Sequence, residues 1–223
     1  MADANSASQL SIGRMILVPA IITLGITILR LVGELQGWTP ILFGRAAGGG
    51  GAILGISWLP LILGPYFAVK LAGSERGPAG LGRAIGMAVA GLVVFFMASY
   101  LAFGTTLAIP VRMTAGFAIM ILAGAISVVG WPALGRTLIA YGYAARIPVA
   151  VIMYFAFRGN WGTHYDALPP EYTGPTDLVT KFIFLGVLPQ FIFWVVYTII
   201  IGALLGTIFA AVAHRRPPAA PAA

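Results

Sequence analysis

The residue types able to move a proton or hold an ion gather in one stretch, GNWGTHYDALPPEY (Gly159–Tyr172), where His164, Asp166 and Glu171 stand close together in the chain. An imidazole beside a carboxylate is the minimal general acid–base pair, and a second carboxylate folding back onto it would complete a three-ligand metal set. The His-x-Asp spacing followed by Glu171 matches no standard zinc motif, however, and the other histidine, His214, lies far along the chain next to Arg215. A plainer reading fits the same residues. Asn160, Gly162, Pro169 and Pro170 form turns, and Trp161, Tyr165 and Tyr172 carry the amphipathic rings that settle at a membrane interface.

Arg146 is the second candidate, because it interrupts the apolar run Leu138–Phe157 near its middle. A guanidinium at such depth is expensive and normally faces a bundle interior or a wet cavity. Tyr143, one turn earlier, is the polar neighbour on its face, so the pair forms a candidate site for an anionic lipid or small anionic ligand. Other partners within the chain are Tyr100, Thr105 and Tyr197. The competing explanation makes this run two short interfacial helices meeting at Arg146-Ile147-Pro148, since proline cannot continue the hydrogen-bond ladder.

The elements that must position these residues follow from composition. Sixty per cent of the 223 residues are hydrophobic and 9% charged, with a mean hydropathy of +0.97. The chain is therefore expected to be an all-α integral membrane protein, a polytopic bundle of about six transmembrane helices embedded in a lipid bilayer. The expected spans are Met15–Gly33, Ala46–Val69, Ala84–Ile109, Met113–Ala133, Leu138–Phe157 and Gln190–Ala213. Phe182–Leu188, ahead of Pro189, is either a separate interfacial turn or the start of a longer kinked last helix. Residues 15–213 form one transmembrane domain, flanked by a polar tail (1–14) and a basic, Pro/Ala-rich tail (214–223).

Several functions are excluded at this level. Without cysteine there is no disulfide, thiolate nucleophile or Cys-ligated metal, and no metal or cofactor is expected. The net charge of +7 comes from thirteen Lys and Arg residues scattered at the ends of apolar runs, which argues against nucleic acid as a partner. Their distribution favours both termini in the cytoplasm of a bacterial-type inner membrane. Arg14, Lys70, Arg76, Arg83, Arg136, Arg215 and Arg216 then face inward, against Arg30, Arg45, Arg112, Arg158 and Lys181 outside.

The glycine-rich run Ala46–Ala52 lacks the Lys-Ser or Lys-Thr and the preceding strand of a phosphate-binding loop. Gly48, Gly51 and Gly55, and Gly202 with Gly206, instead suggest helix faces that pack closely, as Gly82 and Gly86 do, either within the bundle or against a second copy or another membrane protein. Two functions remain. One is a non-enzymatic multi-pass protein, an accessory or assembly element or a small carrier. The other is a membrane enzyme that acts on a lipid or amphipathic substrate through His164, Asp166 and Glu171.

Overall fold

The structure, a computed structural model, describes residues 11–49, 52–170 and 172–213. Gly51, Glu171 and both terminal segments lie outside the described residues. Among the described residues six longer helices succeed one another, besides the one-turn helix Pro40–Phe43: α1 (Ile12–Leu35), α2 (Leu59–Ala72), α3 (Leu81–Ser99), α4 (Ile109–Gly130), α5 (Pro132–Gly159) and α6 (Leu178–Ala213). All but α2 are long and apolar enough to cross a membrane, α3 with the π turn Tyr100–Gly104 that extends it. The protein is a helical membrane bundle of about six helices, with lipid-facing residues such as Val18, Ile21 and Ile22 exposed along α1.

Local sequence explains where the helices begin. Ser11 caps α1 by accepting the Arg14 amide, Asp177 caps α6 by accepting the Thr180 amide, and Pro132 starts α5 where its missing N–H is not needed. The expected span Ala46–Val69 needs correction. Its helix starts only at Leu59 and is 14 residues long, about 21 Å against the ~30 Å of a hydrocarbon core. Glycine is a poor helix former, and Gly48 takes a φ of +74° inside the single 3-10 turn Ala47–Gly49, a conformation that ends any regular helix there. Gly48 and Gly55 therefore do not share a helix face; Gly55 belongs to the non-helical backbone just ahead of α2.

Two prolines that threaten continuity do not break it. The helix α5 runs as one element of 28 residues through Pro148, so the alternative of two short helices meeting at Arg146 does not hold. The last helix also continues through Pro189, and Phe182–Leu188 is its first part. Here the backbone widens into π turns at Ile183–Val187 and Pro189–Phe193, which absorb the lost donor.

The helix α6 is the hub, in contact with α2, α3, α4 and α5, whereas α1 lies mainly against α5. The α2–α6 crossing is close because both helices present glycine there. A Cβ built on Gly206 would lie 2.8 Å from the Gly64 carbonyl oxygen, and one on Gly64 would meet the Gly202 main chain. At one end of the bundle the Trp131 indole donates to the Arg76 carbonyl (2.8 Å), tying the α2–α3 connector to the α4–α5 turn. The connector between α5 and α6 lies at the opposite end. Single cysteines at the exposed positions Ala79 and Thr176 are therefore expected to label from opposite sides of the membrane. An impermeant maleimide that reached both from one side would break this arrangement.

Candidate functional site

The site is built where the end of α1 meets the connector between α5 and α6. Thr23, Thr27, Arg30 and Glu34 follow one another at helical spacing and are all buried, a polar stripe turned inward. The Thr23 hydroxyl lies 2.8 Å from that of Tyr141 on α5, which fixes the rotation of α1 against its neighbour. Arg30 Nε donates to Glu34 Oε1 (2.8 Å), one turn on, and Arg30 Nη2 donates to the Gly44 carbonyl (3.2 Å). A Cβ on Gly55 would stand 3.0 Å from Arg30 Nη1, so the glycine leaves space for the guanidinium.

Glu34 is fully buried and is the anchor of the connector. Its Oε2 accepts the backbone N–H of His164 (2.8 Å), its Oε1 lies 2.5 Å from His164 Nδ1, and its own carbonyl accepts from the Arg45 guanidinium. Tyr165 donates to the Thr27 carbonyl (3.2 Å) beside the His164 ring. Burial holds the His164 imidazole below its ordinary pKa, against the pull of the Glu34 hydrogen bond, and burial pushes the Tyr165 phenol up.

The three connector residues singled out by type do not meet as a set. Asp166 turns back on its own loop, accepting the amides of Gly162 (2.9 Å) and Thr163 (2.8 Å) and the Thr163 hydroxyl (2.7 Å). It shapes the turn that begins with Asn160 and Gly162, both at positive φ. Glu171 lies outside the described residues. Among the described residues, no three His, Asp or Glu side chains are grouped so as to hold a metal ion.

Arg146 approaches the same region from α5. It is 5% exposed, and its guanidinium lies 4.6 Å from the centre of the Trp194 ring. Its Nη1 reaches Gln190 Oε1 only at 3.4 Å, and its Nε has no hydrogen-bond partner among the described residues. Gln190 is placed by the π turn after Pro189 and donates to the Met153 sulfur. Tyr143 does not join it. At 41% exposure Tyr143 packs on Phe191 and faces outward, since the turn between residues 143 and 146 carries it off the buried stripe of α5. Tyr100 is exposed, and the Thr105 carbonyl accepts from Arg112 instead.

These groups border one cavity of about 340 Å³. Arg30, His164, Arg146 and Gln190 supply polar groups, while residues such as Val149, Met153, Phe157 and Leu185 form apolar walls. Gly55, Ile56 and Ser57, the non-helical approach to α2, form part of its wall, where irregular backbone is tolerated within a membrane. Its size is at the low end of ligand sites, which run to roughly 300–1,000 Å³. It suits a head group with part of one chain, not two whole acyl chains. Arg30 and Glu34 offset each other's charge, and among the described residues Arg146 forms no ion pair at the cavity. Arg30, Glu34, Gln190 and Trp194 were not among the candidates from sequence. The signal for the first two was the Arg-x-x-x-Glu spacing in the last turns of an apolar helix.

No protein-family model, curated protein or solved structure matches the chain, so these residues and their geometry carry the functional argument.

Proposed function

We propose that the protein is a small carrier that holds an amphipathic anion in this cavity, its charge on Arg146 and its chain along the apolar walls. The observation behind the reading is Arg146 itself: a buried guanidinium whose Nε has no hydrogen-bond partner among the described residues, on a wall of a space that continues into aliphatic and aromatic side chains. A cation of that kind kept only for packing would be a liability, at about 2.5–3.5 kcal/mol for a charge at a helix centre. The excess of Lys and Arg on the side of the termini favours cytoplasmic termini in a bacterial-type inner membrane, with the cavity toward the outer face.

Arg146→Gln tests the reading. The variant is expected to insert and to melt within a few degrees of the native protein, because the arginine leaves no strong acceptor behind. Decanesulfonate, a permanently charged single-chain anion, is expected to bind it about 10- to 100-fold more weakly, the worth of one charge-assisted hydrogen bond. Calorimetric titration in phosphatidylcholine nanodiscs reads the affinity. A lower melting temperature with unchanged decanesulfonate affinity would make Arg146 a packing residue.

A further inference from the structure

The cavity contains a group that anion binding alone does not use. His164 is fixed twice to one carboxylate, through its backbone N–H and through Nδ1. A carboxylate accepts hydrogen bonds and does not donate them, so Nδ1 carries the ring proton and the lone pair is left on Nε2. His164 also lines the cavity that Arg146 enters. On the reading of that cavity as an anion site, we propose that the anion enters together with a proton, which His164 takes on Nε2.

The charges around the ring explain the coupling. From α1, Arg30 and Glu34 face it; from its own connector, Asp166 and Tyr165; from α5, Arg146 across the cavity. With the cavity empty, burial makes a charge on the ring costly and, against the pull of the Glu34 hydrogen bond, Arg30 adds to that cost, which favours the neutral imidazole. A bound monoanion offsets Arg146 and brings negative charge to the cavity, so the imidazolium becomes cheaper. Linkage makes the effect reciprocal: the protonated site binds the anion more tightly by the same factor. Proton and anion together add no net charge, which removes the electrostatic penalty of moving either across a membrane alone.

The sign follows. The empty-site pKa lies below the ordinary value near 6.5, and the occupied-site pKa lies above the empty one. Between them the Kd for decanesulfonate rises by up to about tenfold per pH unit, the slope set by one linked proton. Outside that window it is flat.

Decanesulfonate does not titrate, so proton uptake can be counted by calorimetry across the titration of His164 in buffers of different ionisation enthalpy. The expected result is net uptake of up to one proton per anion bound, greatest between the empty-site and occupied-site pKa values. The chain has only two histidines, so His214→Gln leaves His164 as the sole imidazole. Its nitrogen resonances are expected to move from the neutral Nδ1–H form to imidazolium on adding decanesulfonate. His164→Asn keeps a donor toward Glu34 and removes Nε2; it is expected to bind without proton uptake and without pH dependence. Decanesulfonate binding without uptake, an unchanged imidazole spectrum, or full uptake in His164→Asn overturns the coupling and leaves the anion site standing. Absence of decanesulfonate binding in the native protein overturns both.

Discussion

Glu34→Gln is expected to destabilise the protein by about 3–5 kcal/mol, the cost of removing one partner from a buried ion pair. For a chain of this length, that corresponds to a fall in melting temperature on the order of 10 °C. The size follows from how many groups share this carboxylate: Arg30, the His164 amide and His164 Nδ1 all converge on it, and it is fully buried. Glutamine keeps an acceptor for the His164 amide but removes the negative charge that Glu34 sets against the Arg30 guanidinium. Arg30→Met combined with Glu34→Gln is therefore expected to recover more than half of the loss, since both charges then disappear together. Thermal unfolding of the native, single and double forms in one detergent reads the cycle. A Glu34→Gln protein that melts as the native one does would show that the α5–α6 connector is held elsewhere.

That ion pair also shows what the sequence could and could not reveal. Membrane character and most helices follow from hydropathy alone, because hydrocarbon forces the backbone into helices wherever a long apolar run occurs. The helix starting at Leu59 is shorter than its apolar run because hydropathy does not register glycine's backbone freedom; Ala46–Ala52 is apolar enough for a span but conformationally unsuited to one. Arg146 stood out as a charge in a span, yet its surroundings did not, since Gln190 and Trp194 come from a helix 44 residues and more away in sequence. His164 is legible as a chemical type, but proximity in the chain points to Asp166 and Glu171 as its partners. Glu34 lies 130 residues earlier, and only the packing of α1 on α5 brings them together. Asp166 was nearer in sequence and is occupied by its own turn.

Gly64→Leu and Gly206→Leu are expected to prevent α2 from docking on α6. Overpacking against movable side chains costs about 1–3 kcal/mol. Here the obstacle includes backbone: a Cβ on Gly206 meets the Gly64 carbonyl and the Ala68 Cβ, and one on Gly64 meets the Gly202 main chain, so the helices themselves must part. Displacing α2 would expose Phe67, Ala68 and Leu71, which are buried in the core it shares with α5 and α6. Loss of folded yield and of a single elution peak in mild detergent is the expected outcome for both variants. Gly86→Leu supplies the comparison. Gly82 and Gly86 repeat the four-residue spacing of Gly202 and Gly206, but a Cβ at either meets nothing within 4 Å, and leucine there is expected to leave yield and melting temperature unchanged. The two pairs are indistinguishable by spacing and differ only in what stands opposite them. A Gly206→Leu protein that elutes and melts like Gly86→Leu would mean that α2 is not seated on α6, and the wall that Gly55, Ile56 and Ser57 give to the cavity would go with it.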